Sequence, residues 1–258
     1  MRPIAVLILG ATVWPAAALA MPLPDCANQV VIAHAQVTRV EKDGALILSD
    51  GRAAILEGVR LPGADDPAAP IATEALQTLR QFALSGPLTL TAVDPRQDRY
   101  GRIRVQVFDH VWLQMALLEQ GLARVEIAPD REECAPDLYE AESRARAASR
   151  GLWSLPQYAV RDVGAPSPNL AGTFQLVEGK VVNASVHDGR GFLDFQEDYR
   201  HGFSVTIAPE DRKTFRKDGF ALEDLVGRKI RLRGIVEEFG GRPEIALSNP
   251  YQIELLDQ

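Results

Sequence analysis

The run Asp98-Arg99-Tyr100-Gly101-Arg102 lies between two strand-like stretches and sets a guanidinium, Arg102, at the end of a turn. A guanidinium is a rigid fork of donors that matches phosphate or carboxylate oxygens in pairs. The oxygens a hard cation would need are available in the same half of the chain, at Asp43, Glu57, Asp65 and Asp66. Phosphate chemistry assisted by a cation is therefore one reading. The other is structural: Arg102 pairs with a nearby carboxylate and pins the backbone around it. The four histidines, His34, His110, His187 and His201, show no ligand spacing, and two cysteines cannot complete a zinc set, so no metal centre is expected from them.

The elements that must position these groups fall into two segments. In the first, Val30–Val40, Ala45–Leu48 and Arg52–Leu61 read as strands joined by Lys42-Asp43-Gly44 and Asp50-Gly51. Ile71–Ser85 has helical apolar spacing, Leu88–Val93 and Ile103–Phe108 are strands, and Trp112–Gln120 is a helix closed by Gly121. A short strand, Leu122–Ile127, and a helix over Pro136–Ser149 complete it. The second segment is strand-rich: Phe174–Ser185, Gly191–Phe195, Phe203–Ile207, then helical turns, then Lys229–Phe239 and Glu244–Leu256. Five strands with a helix between the third and fourth is the order of an oligonucleotide/oligosaccharide-binding (OB) barrel. The fold class is thus mainly β with α. The domains are 21–160, a Pro- and Gly-rich linker at 161–172, and 173–258.

Residues 1–20 differ from both segments. Arg2, an apolar run from Ile4 and the ending Ala18-Leu19-Ala20 read as a secretory signal peptide cut after Ala20, which implies a periplasmic or secreted protein. In such a protein Cys26 and Cys134 are expected to form one disulfide, two free thiols being the alternative. Without Arg2 the chain carries 27 basic against 35 acidic residues, a net charge of −8. Residues 21–170 and 171–258 are each net acidic. That balance opposes the charge-driven attraction on which non-specific nucleic-acid binding relies.

The first segment resembles the staphylococcal nuclease (thermonuclease-like) family over about residues 30–158. The matching pieces are Leu56-Glu57-Gly58-Val59-Arg60-Leu61-Pro62, Asp98–Arg102, Leu117-Leu118-Glu119-Gln120-Gly121-Leu122-Ala123 and Gly151-Leu152-Trp153. The resemblance implies a five-stranded OB-type barrel with three helices. It also implies phosphodiester cleavage, with calcium held by two aspartates, a glutamate base and two arginines on the phosphate. Carried over by position, the first metal aspartate falls on Gly44, with Asp43 one residue earlier. The first arginine falls on Ile55, the second aspartate on Arg60 and the glutamate on Gly63. Only the second arginine is kept, as Arg102.

The expectation is therefore a degenerate nuclease fold that binds or scaffolds, without a cofactor. An active nuclease using calcium at a site rebuilt from Asp43, Asp65 or Asp66 is one alternative, and a structural envelope protein is the other. The second segment also resembles a barrel that follows exported domains of this family. Phe195, Tyr199, Arg200, Arg231 and Arg233 are its candidate binding residues. Possible partners are nucleic acid or an envelope protein.

Overall fold

A computed structural model describes residues 26, 30–66, 69–93, 97–129, 131–164, 170–197, 202–217 and 219–256. The proposed signal peptide and its cleavage point lie outside the described residues, as do Tyr199 and Arg200. No helix among the described residues is long and apolar enough to cross a membrane.

Two barrel-like sheets of the same topology follow one another. The first is a closed five-stranded barrel: β1 (Val30–Val40), β2 (Leu46–Leu48), β3 (Ala53–Leu56), β5 (Pro87–Ala92) and β6 (Ile103–Phe108), in the order β1-β2-β3-β6-β5. Its closure depends on the length of β1, which pairs with β5 through Val30–Gln36 and with β2 through Val37–Val40. β3 and β6 run parallel, and Ile55 stands opposite Arg104. The expected strand Arg52–Leu61 is broken. Gly58 takes a φ of +81°, and a Cβ there would lie 2.5 Å from the Leu138 side chain. The chain therefore turns after β3 and resumes as β4 (Val59–Arg60), which pairs with β7 (Arg124–Val125).

Helix α1 (Pro70–Ala83) starts on a proline, where the missing N–H is not needed, and buries Ile71, Ala72, Ala75, Leu79 and Ala83 on one face. Helices α2 (Leu113–Glu119) and α3 (Ala135–Ala147) pack on each other. Two of the sequence pieces quoted above meet here. Gly121 (φ +67°) ends α2, and its carbonyl accepts from the Leu152 N–H at 2.8 Å. A Cβ at Gly121 would lie 2.1 Å from the Arg150 carbonyl oxygen. Only glycine fits where these two turns touch.

The second sheet contains β8 (Arg161–Asp162), β9 (Phe174–Lys180), β10 (Asn183–His187), β11 (Arg190–Asp194), β12 (Ser204–Ile207), β13 (Lys229–Phe239) and β14 (Arg242–Leu247). Its order is β10-β11-β12-β14-β13-β9-β8, with β15 (Ile253–Leu255) on β13. The sheet curls, and β9 and β10 are successive in the chain. β12 and β14 run parallel, as β3 and β6 do, and α4 (Arg212–Lys217) follows β12. This is an OB-like sheet. The stretch read as a linker begins as structure: β8 pairs in parallel with β9. The core of the first barrel extends into the second through Phe174 and Leu176.

Candidate functional site

Four of the five positions that the resemblance singles out line one cleft of about 250 Å³: Gly44, Ile55, Arg60 and Arg102. Gly63 lies beside it in a 3₁₀ turn, Pro62–Ala64. Gly44 is held by the fold, with φ +87° and Leu61 packed where a side chain would start. Its successor Ala45 is buried. Neither position supplies a side-chain oxygen.

Arg102 is tied down at both ends of its fork. It donates from Nε to Asp98 Oδ2 (2.9 Å) and from Nη1 to Asp43 Oδ2 (3.0 Å), and it lies 5.1 Å from the Tyr100 ring centre. Asp98 also accepts the N–H groups of Tyr100 and Arg102 (2.8 and 3.0 Å). Burial pushes the Asp98 carboxyl up, but these hydrogen bonds and the Arg102 charge outweigh it and hold it below the usual range. Arg102 thus joins the first hairpin to the turn before β6.

Arg60 stands on β4, at the position that the resemblance assigns to the second metal aspartate. It donates to Asp65 Oδ1 (3.1 and 3.3 Å) and to Glu126 (3.2 and 3.3 Å), and it covers the Phe174 ring at 5.3 Å. Burial disfavours its charge, yet Glu126 and Asp65 more than compensate and raise its pKa. A guanidinium, not a metal ion, draws these carboxylates together. Among the described residues no group of three His, Cys, Asp or Glu is placed to hold a metal.

Asp65, a candidate ligand of a rebuilt site, has its side chain only 7% exposed and turned to other partners. Its Oδ1 accepts the Phe174 N–H of β9 at 3.1 Å, and its Oδ2 pairs with Arg124 of β7. Arg124 is almost fully buried, sits against Tyr158 and Phe174 (5.0 and 4.9 Å), and donates to the Phe174 carbonyl. Burial pulls its pKa down. Asp66 is exposed. Glu57 is buried at the turn after β3, where it accepts the Gly58 N–H (3.1 Å) and lies 3.4 Å from Arg104. Burial raises its pKa. The acids proposed for a rebuilt site therefore do not converge.

A second charged assembly was not legible as such in the sequence. Arg233 of β13, 1% exposed, donates to both oxygens of Glu142 on α3 (3.2 and 2.9 Å), to the Val125 carbonyl (3.0 Å) and to Glu254. Its guanidinium stacks 4.3 Å from the Tyr139 ring. Glu142 also accepts the Val125 N–H (2.7 Å). Arg231 bonds to Glu178 (2.8 Å) and Glu254 (3.0 Å). Phe195 is buried edge-on to Phe203 at 6.1 Å. Three of the five candidate binding residues of the second barrel are thus engaged internally. The signal that was available is the placement of Arg124 and Arg233 within apolar runs, Ala123-Arg124-Val125 and Leu232-Arg233-Gly234-Ile235.

Burial pushes the Glu254 carboxyl up, but Arg233, Arg231 and Arg146 outweigh it and hold it below its ordinary 4.5. A carboxyl with a lowered folded pKa adds stability that is complete above the unfolded value and disappears as pH falls through the folded one. Acid titration below pH 4.5 is expected to destabilise the protein, and Glu254→Gln to flatten that part of the curve. Equal acid slopes for the two proteins in urea unfolding would contradict this.

Cys26 and Cys134 are both free thiols in this structure. Cys26 packs against the first core, which contains Cys134. A hydrogen bond to Cys26, together with burial, pushes the Cys134 thiol far up.

Residues 54–155 match the family described as staphylococcal nuclease homologue. No curated protein matches the chain.

Proposed function

We propose that this chain, whose residues 54–155 are a staphylococcal nuclease homologue domain, is an exported binding or scaffolding module that has lost metal-dependent cleavage. The observation that carries the reading is Arg60. Its guanidinium takes up Asp65 and Glu126 beside the cleft, so a calcium ion there would meet a positive charge. At about 4 Å and an effective dielectric near 20, each unit of like charge costs roughly 4 kcal/mol, and a divalent ion doubles that. The fit to a calcium site fails on charge as well as on ligand count.

The rival reading, a nuclease rebuilt around Arg102, needs Asp43 and the Asp65–Asp66 loop. Asp43 is spent on Arg102 and Asp65 on Arg60, Arg124 and Phe174. A purified chain lacking residues 1–20 is expected to leave single-stranded DNA and RNA intact in the presence of calcium. Calcium-dependent cleavage that disappears on Arg102→Ala would overturn the proposal.

Export rests on the leader-like residues 1–20. In an oxidising compartment the two thiols are expected to pair as a disulfide, which would tie the mature N-terminus to the start of α3.

A further inference from the structure

We propose that the groove between the two barrels is the docking site for an extended peptide segment of a partner protein, one carrying both an acidic and a basic side chain among apolar ones. This rests on the reading of the chain as a binding module and names its ligand class. The groove, about 540 Å³, falls within the range of about 300–1,000 Å³ typical of built binding sites. It shares Arg60, Arg104 and Glu126 with the neighbouring cleft, so the two form one trough across both domains.

Its chemistry selects the occupant. At the first-barrel end Arg104 is partly exposed and only loosely tied to Glu57 at 3.4 Å, which leaves donor capacity for a carboxylate. Arg233 also lines the groove, but it is almost fully buried and engaged by Glu142, Glu254 and the Val125 carbonyl, which leaves the carboxylate to Arg104. On the second barrel, β13 presents Ile235, Glu237 and Phe239 on one face at the period-two spacing of a strand. All three are exposed, Ile235 by 42% and Phe239 by 68%. Glu237 makes no ion pair among the described residues, and its cross-strand neighbour is another acid, Glu244. Exposed apolar side chains flanking an acid suit the alternating side chains of an extended chain with a basic residue.

Nucleic acid fits poorly. The ring within the groove, Phe174, is already covered by the guanidinium groups of Arg60 and Arg124, which removes a platform for bases. The β13 side adds Glu237, with Glu244 as its cross-strand neighbour, and these acids repel phosphate.

The test pans the mature protein against displayed random peptides about ten residues long. The expected result is enrichment of peptides combining apolar residues with one acid and one base. A synthetic copy of an enriched peptide should bind about tenfold more weakly to Glu237→Lys and more weakly still to Ile235→Asp, both of them exposed positions. Lack of enrichment, or peptides indifferent to both variants, would overturn the docking site. So would a thymidine oligonucleotide that binds more tightly and is lost on Ile235→Asp. Calcium-dependent cleavage of DNA sinks the binding-module reading itself. Failed panning with a protein inert toward DNA sinks the docking site alone.

Discussion

Arg233→Ala is expected to destabilise the whole protein by about 3–5 kcal/mol, the cost of leaving a buried carboxylate without its partner. Glu142 is as buried as Arg233, and the Val125 N–H it also holds belongs to the first barrel. The damage should therefore cross the domain boundary. Trp112 and Trp153, the tryptophans beyond residue 20, both lie in the first barrel, whereas Arg233 lies in the second. In urea unfolding, the tryptophan fluorescence of the variant should shift to lower denaturant together with its far-ultraviolet circular dichroism. If fluorescence holds its wild-type midpoint while dichroism moves, the two barrels unfold independently and the argument fails.

Oxidation of Cys26 and Cys134 is the second large effect. The two thiols give up two electrons and two protons to a disulfide oxidant, and the chain loses two hydrogens in mass. Closing a loop of about 100 residues stabilises by roughly 4–5 kcal/mol in the chain-entropy treatment. The protein isolated from an oxidising compartment should gain that mass back on reduction and melt earlier. Cys26→Ser should melt like the reduced protein. An unchanged mass on reduction, or a Cys26→Ser variant as stable as the oxidised wild type, would show that the thiols stay free.

Much of the fold could be read along the chain because local patterns suffice for it. β1, β6 and β13 begin and end where alternation and turn residues place them, and Gly121 closes α2 as expected. The breaks are different. Gly58 splits a strand because Leu138, eighty positions away, occupies the space of its absent side chain. Phe174–Ser185 divides between β9 and β10 because β9 pairs with β13 and β10 with β11. At the site, it could be read directly that the positions the resemblance assigns to three carboxylates hold Gly44, Arg60 and Gly63, and that the first arginine's position holds Ile55. The fates of Asp65, Arg124, Glu142 and Arg233 could not. Apolar neighbours mark Arg124 and Arg233 as buried but do not name their partners. Asp65 lies 59 positions from Arg124, and Glu142 lies 91 from Arg233 and meets it only when the barrels do.

Arg60 and Asp65 carry a last consequence, one for engineering rather than for stability. Asp65 ties the loop beside the cleft to β9 of the second barrel, and Arg60 shares its charge. Exchanging Arg60 for an acid would crowd three carboxylates together, with Asp65 and Glu126, and weaken that tie before any cation could bind. Installing a metal ligand at this position therefore starts from a poorer protein, and needs a new partner for Asp65 and Glu126 in the same step.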